Sequence, residues 1–302
     1  MRGLVTSPAA TARDMSTSSA ALTQVRPRVP SEAARPRPFL KWAGGKGRLI
    51  EQLRPLLPAP FKRYFEPFAG GAALFFALGP ERASLTDVNE ELIDCYRTIR
   101  DHVEDVIDAL GQHRYEPKHY YRVRALDPQG LGLADRAART IFLNKTGYNG
   151  LYRVNRAGKF NVPIGRYTNP RVCDPENLRA CSAALQGVEL ERRDFAEQVA
   201  RAKKGDFVYF DPPYDPTSAT SAFTSYAPGG FGLDGQERLA AVFAALASRG
   251  VHAVLSNSDT PLIRELYRPY RVVPVLAARS INSRGSRRGK VGEVVVTSFG
   301  RR

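Results

Sequence analysis

The sequence Gly205-Asp-Phe-Val-Tyr-Phe-Asp-Pro-Pro-Tyr214 joins a short apolar run to a carboxylate, two prolines and an aromatic ring. The apolar run from Phe207 to Phe210 predicts a short, buried strand. Because prolines cannot continue the hydrogen-bonded ladder of a sheet, the backbone must turn at the carboxyl end of that strand. Ligands bind at this edge of an open α/β sheet. The sequence therefore predicts an α/β fold with a binding site beside Asp211.

The groups that follow this strand suggest what the site binds. Asp211 offers an anionic acceptor, Pro212 a carbonyl with no ladder partner, and Tyr214 a flat ring for stacking. Together they suit an amino group on a flat heterocycle. A plain strand-to-turn junction with a capping aspartate accounts for these residues equally well, so other motifs must decide.

Length and composition limit the classes of protein to consider. The 302 residues, 43% of them hydrophobic, suffice for one large domain or two smaller ones with a buried core. The 45 lysines and arginines against 30 acidic residues give a net charge of +15. This balance favours a polyanionic partner, and nucleic acid is the first candidate. The alternative is a basic surface that serves only solubility.

Cysteine and histidine placement argues against a metal site. The three cysteines and four isolated histidines show no Cys-x-x-Cys pair and no zinc-ligand spacing, so we expect a reducing compartment and no bound metal. No apolar run approaches the about 18 residues of a membrane-spanning helix, so no membrane is expected.

The amino-terminal region divides into a tail and a first motif. Residues 1–37 are rich in Ala, Ser, Thr, Pro and Arg, which predicts a disordered basic tail. A transit peptide, a start codon at Met15 or a nonspecific DNA-binding arm would look the same. Phe39-Leu-Lys-Trp-Ala-Gly-Gly-Lys-Gly47 then predicts a glycine-rich turn before a helix. Such a helix end can hold an anion, and Lys41, Trp42 and Lys46 add two cations and an aromatic ring.

A strand, glycine turn and helix follow in Tyr64-Phe-Glu-Pro-Phe-Ala-Gly-Gly-Ala72, and a second strand ends at Asp87. Asp87 falls 17 positions after Gly70, about where nucleotide-binding units place the carboxylate that grips ribose hydroxyls. The turn lacks the G-x-G-x-x-G pattern, and Glu66 at its mouth would repel a pyrophosphate but attract an ammonium group. A ligand with ribose, an amino-acid ammonium and no phosphate is S-adenosylmethionine.

The middle of the chain reads as a helical scaffold and then a basic ribbon. Apolar positions from Asn89 to Leu110 keep a 3.6-residue period, which predicts one long amphipathic helix. Between Arg139 and Arg171 there are seven basic residues, five aromatic residues and no acid. Residues 151–155 and 159–163 have the spacing of a hairpin. A basic ribbon with aromatic residues fits a DNA groove, and a solvated loop is the alternative.

The remainder of the chain is predicted to form strands at 188–191 and 252–259, helices at 236–248 and 261–268, and a hairpin of 270–276 with 291–299. About twenty residues after Tyr214, including Phe223-Thr-Ser-Tyr226, are predicted to form a lid. The loop between the hairpin strands is basic and would bind phosphates; its cations are Arg279, Arg284, Arg287, Arg288 and Lys290.

With these motifs assembled, residues 38–299 resemble the DNA adenine-N6 methyltransferases of the GATC-recognising, Dam-like D12 class. The matching words are Phe-Leu-Lys-Trp-Ala-Gly-Gly-Lys (39–46), Glu-Pro-Phe-x-Gly (66–70), Asp-Val-Asn (87–89), Gly-Tyr-Asn-Gly-Leu-x-Arg (147–153), Phe-Asn-Val-Pro-x-Gly-Arg-Tyr (160–167), Asp-Pro-Pro-Tyr (211–214) and Arg-Ser-Ile (279–281). The resemblance implies a Rossmann-like, mostly parallel methyltransferase sheet with a terminal antiparallel hairpin, formed by residues 38–100 and 186–302. It also implies an inserted, mainly helical target-recognition domain at 101–185 that carries a β-hairpin.

The resemblance implies roles for individual residues. The catalytic group would be Asp211, Pro212, Pro213 and Tyr214. The cofactor contacts would be Trp42, Lys46, Glu66, Gly70, Asp87 and Asp211. The DNA contacts would be Lys41, Leu151, Arg153 and Pro163 at base edges, and Tyr148 and Asn149 beside the extruded adenine. Departures from the family pattern occur at Thr146, Tyr152 and Ser258, and those at Thr146 and Tyr152 bear on the target sequence more than on the chemistry.

The implied activity is methyl transfer from S-adenosylmethionine to the N6 amine of a flipped adenine in duplex DNA, within GATC. The implied enzyme is a monomer that acts in the cytoplasm at the nucleoid and needs no metal. Three alternatives remain open from the sequence. They are a different DNA target, an RNA or protein-glutamine substrate, and a non-catalytic DNA-binding protein.

Overall fold

The computed structural model describes residues 35–42, 45–216, 231–278 and 290–300, together with Met1 and Gly3. In these ranges one seven-stranded sheet forms the centre of the molecule. Its strands are β1 Tyr64–Glu66, β2 Ala83–Asp87, β3 Glu189–Arg192, β4 Phe207–Phe210, β5 His252–Ser258, β6 Arg271–Ala278 and β7 Lys290–Thr297. They lie in the order β3-β2-β1-β4-β5-β7-β6.

The sheet is mostly parallel, as expected. Strands β1 to β5 pair in parallel, whereas β7 pairs antiparallel with both β5 and β6. The chain runs outward from β1 to β2 and β3, and then returns to the other side of β1 as β4. The strand order therefore reverses between β1 and β4, which is where open α/β sheets bind ligands.

The described helices are α1 Ile50–Leu53, α2 Ala73–Leu78, α3 Glu90–Asp101, α4 Val103–Gly111, α5 Pro117–Ala125, α6 Leu133–Thr146, α7 Pro175–Leu185, α8 Phe195–Val199, α9 Leu233–Ser248 and α10 Pro261–Leu266. Buried residues of these helices and of the sheet form two hydrophobic cores. Alternate residues of β4 serve the two cores: Phe207 lies in one, and Val208 in the other. Because both faces are covered, β4 is a continuous apolar run.

The prediction of one long helix from Asn89 to Leu110 is wrong. The chain forms α3 and α4, which are separated at His102 with φ −139° and ψ 42°. Ser182 of α7 and Gln186, the residue after α7, explain the break, since Ser182 Oγ and Gln186 Nε2 donate to the Arg100 carbonyl at 3.0 and 2.9 Å. The apolar period continues across the break because both helices contribute to the same core.

The predicted hairpin of the basic ribbon is only partly regular. Its two arms pair antiparallel at one bridge, Val154 with Phe160, and a second bridge, Gly147 with Ile164, lies just beyond the predicted arms. Asn155 makes the turn, and its Oδ1 accepts the backbone N–H groups of Ala157 and Lys159 at 3.0 Å. The ribbon is therefore shaped by local side-chain bonds as well as by strand pairing.

Other predicted elements are present with shifted ends. Helix α9 begins three residues before the expected Gln236, and α10 ends at Leu266. The terminal hairpin is confirmed as β6 with β7. The predicted lid with Phe223 and Tyr226, and most of the predicted tail, lie outside the described residues.

Candidate active site

Three carboxylates follow the carboxyl ends of three neighbouring strands. Glu66 ends β1 and pairs with Leu85, two residues before Asp87 at the end of β2. Asp211 comes directly after β4, the other neighbour of β1. The sheet therefore brings Glu66, Asp87 and Asp211 to one edge at the reversal of strand order, as the sequence predicted.

Lys46 connects the amino-terminal motif to the Asp-Pro-Pro-Tyr motif. It begins the 3-10 turn Lys46–Arg48, and its side chain is only 4% exposed. Its Nζ lies 2.7 Å from Asp211 Oδ1 and 4.6 Å from the centroid of the Tyr214 ring. Burial raises the pKa of Asp211, and the Lys46 charge opposes that rise. Lys46 thus favours the ionised form of Asp211.

Glu66 lies under the site and not on its open surface, since it is only 2% exposed. The Tyr64 hydroxyl donates to its Oε2 at 2.9 Å. Burial raises the pKa of Glu66 to about 8, even though the Tyr64 hydrogen bond and the Lys46 charge oppose the rise. The carboxyl group is therefore mostly protonated at neutral pH. The sequence had instead suggested an anionic Glu66 that repels phosphate.

The turn after β1 orients the Asp87 carboxylate. The Gly70 N–H donates to Asp87 Oδ2 at 3.1 Å, and the Asn89 N–H donates to Oδ1 at 3.0 Å. These backbone donors fix the orientation of both carboxylate oxygens. Gly70 has φ +46°, and a Cβ there would lie 2.7 Å from Trp42 Cδ1. A glycine is therefore required where Trp42 closes over the turn.

Tyr214 is held at both its ring and its backbone. Its hydroxyl donates to Glu293 Oε2 on β7 at 3.0 Å. Two buried residues that the sequence did not single out, Gln236 on α9 and Asn257 on β5, bond to the loop around it. A polar residue within the buried β5 run was the only available signal for Asn257.

The predicted DNA contacts converge around the 3-10 turn Tyr148–Gly150. Tyr148 is 44% exposed, and Asn149 adopts the left-handed φ of +54° that asparagine tolerates better than most residues. The Tyr148 N–H donates to the Pro163 carbonyl at 2.9 Å. Lys41 is exposed beside them, and a Cβ on Gly150 would lie 2.6 Å from Lys41 Cβ.

Neighbouring residues of the ribbon are divided between the surface and the interior. Arg153 is exposed, and its Nε donates to Asn161 Oδ1 at 2.7 Å. Tyr152 packs inward: its hydroxyl donates to Glu91 Oε2 at 2.8 Å, and its ring stacks on Trp42 at 5.5 Å between centroids. Tyr152 therefore joins the predicted DNA-reading ribbon to the predicted cofactor pocket, a role that the sequence did not suggest.

Some predictions cannot be placed within this site. Arg279, Arg284, Arg287 and Arg288 lie outside the described residues. Over the described ranges, no group of three or more His, Cys, Asp or Glu side chains could hold a metal ion. Likewise, no described helix is long and apolar enough to cross a membrane.

A mostly parallel sheet with a terminal antiparallel pair, and a polar site where its strand order reverses, define a Rossmann-like methyltransferase fold. The chain belongs to the D12 class of N6 adenine-specific DNA methyltransferases, because the sequence model of that family matches residues 42–281. This match confirms the resemblance seen in the motifs.

Similar proteins support the same assignment. The type II methyltransferase M1.LlaDCHI of Lactococcus lactis subsp. cremoris is 43% identical over 272 residues, covering 87% of this chain and 96% of that protein. The type II methyltransferase M.MjaIII of Methanocaldococcus jannaschii is 40% identical over 274 residues, covering 83% and 95%. The DNA adenine methylase of Escherichia coli K12 is 36% identical over 264 residues, covering 86% and 94%. The protein is therefore an adenine-specific DNA methyltransferase.

Proposed function

We propose that this enzyme transfers the methyl group of S-adenosylmethionine to the N6 amine of an adenine flipped out of duplex DNA. The observation that carries the proposal is the Asp211 carboxylate at the reversal of strand order, paired at 2.7 Å with a buried lysine beside Tyr214. Asp211 accepts a hydrogen bond from the adenine amine most strongly when its carboxylate is ionised, and Lys46 favours the ionised form.

The residues around Gly70 fit the proposed methyl donor. S-Adenosylmethionine supplies an electrophilic methyl group on a sulfonium. Asp87, whose two oxygens are already oriented by backbone N–H groups, would accept the ribose hydroxyls. Trp42 would contribute an aromatic wall. Glu66, beneath them, would ionise when a ligand ammonium approaches, because a nearby cation lowers the pKa of a carboxyl group.

Asp211 and Pro212 would prepare the adenine amine. Its lone pair is delocalised into the ring, so it is a poor nucleophile. Hydrogen bonds from its two N–H groups to the Asp211 carboxylate and the Pro212 carbonyl favour a pyramidal nitrogen with the lone pair aimed at the methyl group. The amine nitrogen forms a bond to the methyl carbon as the carbon–sulfur bond breaks, and the bonding pair stays on sulfur, which becomes a neutral thioether. The methylated amine then releases one N–H proton to water. Positioning and charge stabilisation supply the acceleration.

Stacking on Tyr214 would offset part of the free-energy cost of base flipping. Extracting a paired adenine costs on the order of a few kcal/mol. Stacking on an aromatic ring returns about 1–3 kcal/mol per base. The Lys46 ammonium beside this ring and the Glu293 hydrogen bond hold it in place as a platform.

We propose residues 101–185 as the target-recognition domain and GATC as its target, on the strength of the family motifs. Lys41, Leu151, Arg153 and Pro163 would contact base edges, with Tyr148 and Asn149 beside the flipped base. A monomer suffices for this reaction, and none of its steps requires a metal. DNA as substrate favours a cytoplasmic site of action at the nucleoid.

The decisive experiment is Asp211→Ala, assayed with labelled S-adenosylmethionine. We expect methyl transfer to a GATC-containing duplex to be abolished while duplex binding stays within about threefold. Asp108→Ala, which removes an exposed carboxylate from α4, is the control and should transfer normally. A scrambled duplex and an RNA of the same sequence test the target. Near-normal turnover by Asp211→Ala would rule out the role, and preferential transfer to RNA would rule out the substrate.

A further inference from the structure

We propose that Gln236 and Asn257 are positioning residues that fix the backbone of Tyr214, and through it the stacking platform for the flipped adenine. This proposal rests on the function proposed above. Neither residue need touch DNA or cofactor. Both act through the Asp-Pro-Pro-Tyr loop.

The two peptide groups that flank the Tyr214 Cα are each held by one side-chain amide. Gln236 Nε2 donates to the Pro213 carbonyl at 3.0 Å, which belongs to the peptide group before Tyr214. The Asp215 N–H, in the peptide group after Tyr214, donates to Asn257 Oδ1 at 2.9 Å. The rotations on either side of the Tyr214 Cα are therefore restrained, which directs its side chain.

The two amides are also bonded to each other. Asn257 Nδ2 donates to Gln236 Oε1 at 3.1 Å. Asn257 Oδ1 accepts a second backbone N–H, that of Ser258, at 2.8 Å. Two backbone donors on one oxygen fix which end of the Asn257 amide is which, so the Nδ2 group must face Gln236. The pair thus works as one unit with its donors and acceptors matched.

Burial makes this unit rigid. Gln236 is 1% exposed and Asn257 is fully buried. Buried amides are costly unless they are hydrogen-bonded, so breaking any of these bonds carries a penalty. The unit ties the loop to α9 and β5, and β5 is the direct neighbour of β4. The position of the Tyr214 backbone is therefore fixed relative to α9 and the sheet.

The precision matters because a misplacement of about 1 Å near a reacting group can cost 10²-fold in rate. A purely structural role for the amide pair, which joins α9 to β5 with no effect on turnover, is the competing explanation.

Gln198 provides a matched control for that explanation. It is also a fully buried glutamine, and its Nε2 donates to the Ser84 carbonyl and Oγ at 2.9 and 3.1 Å. It joins α8 to β2 and does not bond to the Asp-Pro-Pro-Tyr loop. Replacing Gln198 should therefore cost stability without moving Tyr214.

The test compares Gln236→Met with Gln198→Met in the full-length enzyme. Both side chains keep their length and lose their hydrogen bonds. We expect Gln236→Met to lower kcat about 10²-fold, with KM for S-adenosylmethionine and duplex affinity within about threefold of wild type. Gln198→Met should lower the melting temperature, because it removes the bonds to Ser84, and should leave kcat unchanged. If Gln236→Met does not fold, Gln236→Ser also removes the direct bond to Pro213 and leaves room for water to satisfy Asn257 Nδ2, with the same expected loss of kcat.

Two results would overturn the proposal. One is a wild-type kcat in the Gln236 variants, and the other is an equal loss of kcat in Gln198→Met. Either outcome differs from failure of the proposed function, which would show as a wild-type enzyme that does not methylate adenine in duplex DNA.

Discussion

At the scale of single residues, the three carboxylates at the sheet edge have different roles because their surroundings differ. Glu66 is buried against Tyr64 and holds its proton, whereas Asp211 faces the Lys46 ammonium and Asp87 accepts two backbone N–H groups. Such divergence of like groups is how active sites divide their chemistry among residues. In the proposed function, only Asp211 receives the substrate amine.

The raised pKa of Glu66 predicts a pH-dependent stability. Between its usual pKa of 4.5 and about 8, the folded state keeps a proton that the unfolded state has released. Stability contributed by protonated Glu66 is therefore complete below about pH 4.5 and is lost as pH rises through about 8. Glu66→Gln mimics the protonated form, so the stability of wild type relative to this variant should fall by on the order of a few kcal/mol between pH 5 and pH 8.

Denaturant unfolding of the ligand-free proteins across that pH range measures this difference. Glu51→Gln, which replaces a carboxylate exposed to solvent, is the control. Asp211 and Lys46, whose charges act on Glu66, are unchanged in both variants. A difference that stayed constant for Glu66→Gln would show that Glu66 is already ionised at neutral pH.

At the scale of elements, the basic ribbon divides its side chains between the surface and the interior. Arg153 is exposed, Leu151 is partly buried against the core, and Tyr152 packs against Trp42 and Glu91. Arg139 Nη1 and Thr140 Oγ1 also donate to Glu91 Oε1, at 3.3 and 2.6 Å, so the anchor of Tyr152 is itself held by α6.

This packing predicts that Tyr152 supports cofactor binding from outside the pocket. Tyr152→Ala should weaken the affinity for S-adenosylmethionine about tenfold, since Trp42 loses the ring that stacks on it and aromatic pairs are worth about 0.5–1.5 kcal/mol. Tyr152→Phe keeps the stacked ring and loses only the bond to Glu91, so it should bind nearly normally. Calorimetric titration without DNA makes the comparison, and equal affinities in wild type and Tyr152→Ala would refute it.

At the scale of the whole molecule, a net charge of +15 predicts DNA affinity that depends strongly on salt. Replacing both Arg287 and Arg288 with alanine should weaken binding to all duplexes alike and reduce the slope of log affinity against log salt by about 2.

Arg153→Ala should instead relax the choice of base at one position, at a cost of about 1–3 kcal/mol. Equilibrium binding to GATC and scrambled duplexes at several salt concentrations separates these effects. An unchanged slope would exclude the phosphate role of the arginine pair.

Much of the fold could be predicted because its signals are local. The buried run before Asp211 coincides with β4, and the terminal hairpin is β6 with β7. The helix break at His102 could not be predicted, since the Arg100 carbonyl is bound by the side chains of Ser182 and Gln186, which are 82 and 86 residues away in the chain. Period and composition carry no record of such a contact.

The sequence by itself determined the class of fold, the family and the groups at the sheet edge, because short-range patterns and motif words encode strands, turns and chemical groups directly. Only the tertiary structure decided how those groups are tuned. The protonation of Glu66, the pairing of Lys46 with Asp211, the packing of Tyr152 on Trp42 and the amides around Tyr214 all depend on burial and on partners from distant elements. Such contacts arise only when the sheet closes, since desolvation and hydrogen-bond partners are properties of the packed molecule.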